Sequence, residues 1–372
     1  MKVEFYRHSL DEKDAANVAD VLRSTFLTTG PVTVQFEEAF NKYAGIENVV
    51  AVNSCTAALH LSLLGLDIGP GDEVITTPMT FIATATAILH AGARPVFVDV
   101  ESDTGLLDVL NVEKAITERT KAILPVHLYG TMVDMRGLRD LADRFHLKII
   151  EDCAHCIEGE RDGVRPGQLG DTACYSFYAT KNLTCGEGGA LATNNHELAE
   201  RIKLLRLHGM SKDAASRYGG NYQHWDMLEL GWKYNMSDIQ AALLVNQIER
   251  LDSLWQRRHE IAQKYDEAFQ GSGSIQIPKL KGKSAHHLYT VWIDSDKRDR
   301  LLSELSTNGV GVTVNYRAVH TLKYFSEALP CSDNYANAER IGQSTISIPL
   351  YPNLADDEVD YVIETVKRLV GN

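Results

Sequence analysis

Short apolar runs rich in valine, isoleucine and alanine recur along the first half of this chain, and stretches with helical spacing lie between them. The runs 48–53, 73–77, 95–100, 122–127, 148–151, 173–177 and 190–193 read as strands. Helices are expected over 56–64, where Leu59 and Leu63 stand four apart, and over 81–91 and 135–145. Such alternation leaves few folds open. Parallel strands need long crossovers, and helical crossovers cover both sheet faces. The expectation is an α/β fold, with a mixed, mostly parallel sheet between helices. In these sheets ligands gather beyond the carboxyl ends of the strands. The residues just after each run are therefore the ones to search.

Past residue 193 the pattern changes. A helix is expected over 197–208, then a polar loop over 211–225 containing Gly and Tyr. A long helix follows over 237–269, with Ser237 as its N-cap and Gly271 and Gly273 beyond its end. A strand at 288–293, a helix at 297–308, strands at 310–315 and 345–349 and a last helix at 356–370 make a smaller α+β tail.

The chain has 372 residues and a formal net charge of -13. An acidic surface has no general attraction for phosphate backbones, which argues against nucleic acid as a partner. It does not exclude an anionic small ligand in a local pocket. Residues 1–20 are polar, without the apolar core of a signal peptide, and no apolar stretch reaches membrane-spanning length. A cytoplasmic protein without membrane contact is expected. Six cysteines, at 55, 153, 156, 174, 185 and 331, read as buried, reduced thiols. Cys153 and Cys156 have a C-x-x-C spacing, and with His155 they suggest zinc. They fall short of a full ligand set, so no metal is expected.

Four segments carry the chemistry. Lys181 follows the run 173–177 and precedes Gly186, Gly188 and Gly189. An amine at a strand-end crevice can condense with an aldehyde, although a lone loop lysine is more often a solvent-facing side chain. Asp152 ends the buried strand of Ile149 and Ile150. A buried carboxylate needs a partner, and a protonated pyridine nitrogen is one. A helix cap or a metal ligand would also account for it. His155 is a candidate for a ring hydroxyl or an ordinary lining residue. Ser54, Cys55 and Thr56 sit where a strand passes into a helix, and free amides there favour a phosphate. Capping by Ser54 or Thr56 explains the same residues. Ser176 is a second hydroxyl within reach of that phosphate. Phe81 follows a strand and either stacks on a planar ring or joins the core. Each reading is weak singly, but together they fall where a parallel sheet puts its ligand.

These segments occur within longer markers: Thr28-Thr29-Gly30-Pro31, 71–78, 95–100, 125–130, Glu151 to His155, Ser176 to Lys181, 186–189 and 234–242. On them the chain resembles the DegT/StrS-type nucleotide-sugar aminotransferases over nearly its full length. The resemblance implies a type I, aspartate-aminotransferase-like fold dependent on pyridoxal 5'-phosphate. It implies a large cofactor-binding domain over 1–245 and a small C-terminal domain over 246–372. Lys181 would be the Schiff-base lysine, Asp152 the partner of the pyridine nitrogen, His155 a neighbour of the ring oxygen, and Phe81 the stacking ring. Cys55, Thr56 and Ser176 would surround the phosphate. Cys55 stands where many relatives have glycine, which bears on closeness of approach and spares an amide contact. Asn235 would reach the phosphate of a partner subunit, implying a homodimer with shared active sites.

Within the family, Asn315 to His320, Lys323-Tyr324 and His208-Gly209-Met210 with Lys212 are similar to enzymes acting at C4 of a keto sugar. The resemblance therefore implies a UDP-linked 4-keto sugar as acceptor and L-glutamate as donor. Release of 2-oxoglutarate would leave pyridoxamine 5'-phosphate, and bacterial cell-surface glycans such as O-antigen would be the destination. Thr29, Tyr316, Arg317 and His320 are candidates for the sugar-nucleotide side, with packing and surface charge as the plainer accounts. The alternatives are a 3-aminotransferase of a dTDP-3-keto sugar, or a non-enzymatic regulatory protein on the same fold. A sugar dehydratase of this fold would carry histidine where Lys181 stands.

Overall fold

The computed structural model describes residues 1–211, 224–329 and 334–371. Lys212, Cys331 and most of the loop expected over 211–225 lie outside the described residues. Seven strands form the main sheet: β1 (Asn48–Val52), β2 (Glu73–Thr76), β3 (Arg94–Phe97), β4 (Thr120–Leu124), β5 (Lys148–Asp152), β6 (Thr172–Ser176) and β7 (Gly189–Thr193). Their order across the sheet is β1-β7-β6-β5-β4-β2-β3. From β3 through β6 all pairings are parallel, and β7 runs antiparallel to both its neighbours. The sheet is thus mixed and mostly parallel, and it shares the expected α/β architecture.

Side-chain alternation explains why both faces are covered. β1 sends Val50 and Val52 into one cluster and Val49 and Ala51 into another. β6 sends Cys174 to the first face and Ala173 and Tyr175 to the second. The first face receives helix Cys55–Gly65, which is apolar almost all round and almost wholly buried, as a helix between sheet and other helices must be. The second face receives Phe36 and Phe40 from helix Pro31–Ala44, which meet Tyr175 and Phe177 edge to face. That helix and Glu12–Arg23 are not among the helices expected from spacing. The first begins with proline at its N-terminus and the second with an Asp11 capping box, both start signals.

The long helix runs Asp238–Phe269, with Ser237 and Gln240 forming a capping box. Its first half gives Ala241, Leu244, Ile248 and Leu251 to the core below the sheet. Its second half gives Ile261, Ala262, Tyr265 and Phe269 to a separate core. There they meet β8 (Tyr289–Trp292) and β9 (Thr345–Ile348), an antiparallel pair, and helix Asp356–Val370. Val3 is buried in this second core.

The strand expected at 310–315 is not formed. Val310 bridges Val3 and Thr313 bridges Ser347, each as an isolated pair. The segment turns from one partner to the other, so no continuous ladder develops.

Candidate active site

A cavity of about 580 Å³ opens at the carboxyl ends of the strands. β5 delivers Asp152 to it, β6 delivers Ser176, and the turn after β6 delivers Lys181. Cys55, Thr56, Phe81, His155 and Tyr316 also line it. Seven of the eight residues expected to hold the cofactor therefore share one space.

One end of the cavity is built for an anion. Ser54 caps helix Cys55–Gly65, accepting from the Ala57 amide at 3.1 Å. The Ala58 amide donates to the Ser54 carbonyl. The amides of Cys55 and Thr56 have no acceptor among the described residues, and they stand at the positive end of the helix. Capping and anion binding thus coexist here. A side-chain Cβ at Gly189 would fall 2.4 Å from the Ser54 carbonyl carbon and 2.5 Å from the Cys55 nitrogen. Only glycine lets β7 lie this close to the turn.

The other end carries an amine and a carboxylate. Asp152 Oδ2 accepts from Thr84 Oγ1 at 2.8 Å, and Oδ1 accepts from the Ala154 amide at 3.1 Å. No cation lies within ion-pair distance of Asp152 among the described residues. Burial pushes its pKa up, against the Thr84 hydroxyl, the Ala154 amide and Lys181. Burial pushes the Lys181 amine down to about 8, against the pull of Cys55 and Asp152. A buried carboxylate without a counter-ion, beside a lysine that loses its proton near neutral pH, is an arrangement met at reactive centres.

His155 is fixed on both sides. Its Nδ1 accepts the Tyr129 amide at 3.2 Å, so the neutral ring carries its proton on Nε2. That Nε2 stands 3.0 Å from the Tyr316 hydroxyl. Burial, then Lys181, hold the imidazole neutral. Direct donation from His155 to a ring oxygen would require Tyr316 to yield. The Phe81 side chain is 53% exposed, so it belongs to the cavity rim rather than to the core. Its ring lies 5.8 Å from that of Tyr316.

Four expected residues do not line this cavity. Asn235 donates to Thr29 Oγ1 at 2.7 Å, and Thr29 donates to the Met236 carbonyl at 2.6 Å. The pair sits apart from the chain's own cavity. His320 contacts Glu339 at 3.0 Å and packs against Tyr335, and Arg317 is exposed. Two residues in contact with Asp152 or Lys181 carry little signal in the sequence reading. Thr84 gave only an i, i+4 spacing from Thr80, whose hydroxyl it meets at 2.8 Å. His287, 3.3 Å from Lys181, stands just before β8, far away in sequence.

The zinc trio of Cys153, Cys156 and His155 is not assembled. Cys156 points to the Gly130 carbonyl and Cys153 to that of Glu151. His127, Glu151 and Cys153 do converge. There His127 Nδ1 accepts the Val133 amide, and Nε2 meets Glu151 at 2.9 Å. Glu151 also accepts the amides of Gly167 and Gly170. Hydrogen bonds within the fold therefore occupy both side chains.

The donor set fits pyridoxal phosphate. Free amides and hydroxyls suit a phosphate, the lone carboxylate suits a ring cation, and the amine suits an aldehyde. The aminotransferase family model named DegT/DnrJ/EryC1/StrS matches residues 8–367. The UDP-4-amino-4-deoxy-L-arabinose–oxoglutarate aminotransferase of Shewanella sediminis is 38% identical over 379 residues, covering 98% of this chain and 97% of that protein. Spr1654 of Streptococcus pneumoniae, described as a sugar aminotransferase in its PMP form, superposes with a TM-score of 0.93 at 34% identity, covering 100% of this chain and 99% of the other. Helicobacter pylori PseC, an aminotransferase involved in the biosynthesis of pseudoaminic acid, gives 0.93 at 30% identity, with 100% of each chain covered.

Proposed function

The chain belongs to the DegT/DnrJ/EryC1/StrS aminotransferase family and is a pyridoxal-phosphate-dependent sugar aminotransferase; from that premise we propose that it aminates a UDP-linked 4-keto sugar at C4, with L-glutamate as donor. The reading is supported by the Shewanella relative, whose name specifies a UDP-4-amino sugar and oxoglutarate. In this reading the product feeds bacterial cell-surface glycans and the enzyme works in the cytoplasm as a homodimer. In the same reading residues 1–245 would make up the cofactor domain and 246–372 the small domain, with Val3 crossing into the second core and Ile248 and Leu251 into the first.

The observation that carries the site assignment is Lys181 beside a buried Asp152 that has no counter-ion within ion-pair distance among the described residues. Bound pyridoxal phosphate supplies an aldehyde that captures amines and a protonated ring that withdraws electrons. Asp152 would keep the ring nitrogen protonated, and Thr84 and the Ala154 amide hold that carboxylate in place. The amides of Cys55 and Thr56, with the Thr56 and Ser176 hydroxyls, would hold the phosphate. Phe81 would cover the ring. Lys181 takes up and returns a proton at Nζ, which a pKa near neutrality favours in both directions. Tyr316, at the rim, would meet the sugar. Asn235 and Thr29 lie outside their own cavity, which supports their serving a second subunit. Arg317 and His320 would serve the nucleotide from outside the cavity.

The test is incubation with glutamate and a panel of UDP- and dTDP-linked 3-keto and 4-keto sugars, with the products read by mass spectrometry and NMR. Amination of a UDP-4-keto sugar at C4 is expected. Amination at C3 of a dTDP-3-keto sugar alone would overturn the substrate assignment.

A further inference from the structure

Four groups surround Lys181: Asp152 at the end of β5, the Cys55 thiol at the start of its helix, and the imidazoles of His155 and His287. Three of these have an evident use in the proposed site. His287 has none, yet its Nε2 lies 3.3 Å from Lys181 Nζ.

The direction of that contact follows from what lies behind it. Asn182 Nδ2 donates to the Ala285 carbonyl at 2.9 Å and to Glu158 Oε2 at 3.0 Å. Both are pure acceptors, so the amide is oriented with Oδ1 towards His287. His287 Nδ1 lies 3.2 Å from that oxygen and must carry the proton. Nε2 then presents a lone pair to Lys181. Glu158 is itself anchored by the buried Arg258 of the long helix, so the amide cannot easily turn over. Burial, Lys181, His155 and Arg258 all disfavour a charged His287. The acceptor is thus permanent, and the lysine alone changes charge.

We propose that His287 is a positioning residue for Lys181, an acceptor held in one tautomer by Asn182 that orients the amine and stabilises its ammonium form. The proposal rests on the reading of Lys181 as the reacting amine. It concerns what the amine does once free. Anchoring one N–H of Nζ limits the rotation of a long side chain, and hydrogen bonding to the charged form raises its pKa against the downward push of burial.

The test begins with cofactor-free protein. The pH dependence of acetylation at Lys181 by acetic anhydride, read by peptide mass spectrometry, reports the amine's titration. The natural protein should half-react near pH 8, the balance of burial with the charges around the amine. In His287→Phe the midpoint should fall by about one pH unit, as loss of a hydrogen bond to a charged group requires. His287→Gln, whose amide oxygen can stand where Nε2 stood, should restore it. In the loaded enzyme the acid limb of kcat should move in the same direction, with KM for glutamate little changed. An unchanged midpoint in folded His287→Phe, or failure of the Gln variant to restore it, overturns the proposal. Should the Phe variant not melt cooperatively, Asn182→Ala replaces it: a lowered midpoint supports the relay and an unchanged one sinks it. Turnover by Lys181→Ala would instead refute the assignment of the reacting amine.

Discussion

At the scale of single residues, Asp152 shows how a site can oppose stability. Its carboxyl is buried, held by one hydroxyl and one amide, and its pKa is raised. A raised acid pKa means that the folded protein pays for ionisation the unfolded chain makes freely. The penalty is absent below the unfolded value of about 4 and present above the folded one. Asp152→Asn should therefore raise the melting temperature of cofactor-free protein at neutral pH, and the gain should fade as pH falls towards about 4. Transamination should drop by at least about a hundredfold, since no anion remains to hold a protonated ring. Parallel melting curves for the two proteins at neutral pH would contradict the view of Asp152 as a strained, functional charge.

At the scale of elements, the site depends on a strand and a helix start approaching more closely than side chains allow. Gly189 opens β7 against the backbone of Ser54 and Cys55. The atoms in the way are main-chain atoms, so a methyl group there would push the turn aside and reaim the two free amides. Gly189→Ala should weaken cofactor binding by about tenfold or more, measured by fluorescence titration, because those amides and the helix dipole are the anion site. Unaltered affinity would show that the phosphate is held elsewhere. The long helix has a different part. It enters both cores, and Arg258 on its buried side braces Glu158 behind Asn182. An element chosen by its capping box and apolar spacing thus also sets the wall behind the reacting amine.

At the scale of the whole molecule, the question is whether one chain completes a site. Asn235 and Thr29 bond to each other rather than to their own cavity. If they serve a second subunit, Lys181→Ala and Asn235→Ala chains, each inactive alone, should complement. Mixing equal amounts after unfolding and refolding should give about a quarter of the natural activity, since half of random dimers carry one intact site of two. No recovery above either parent would exclude shared sites.

How much was legible follows from the range of the forces involved. Strand runs, the Ser237 cap and the long helix are local matters of spacing and capping, and the chain order of strands and helices restricted the sheet to a mostly parallel one. Lys181, Asp152 and the Ser54–Thr56 turn could be picked out because strand ends carry the ligands of such sheets. What local pattern could not supply was partnership. The run 310–315 has strand-like residues but two different neighbours. Thr84 and His287 are ordinary residues in sequence, and their meaning comes from lying 2.8 Å from Asp152 and 3.3 Å from Lys181. The sequence by itself settled which groups stand at the ends of strands, because backbone propensity and burial act over a few residues. Only the tertiary structure decided which charges face which acceptors, because hydrogen bonds and burial join segments that chain order leaves far apart.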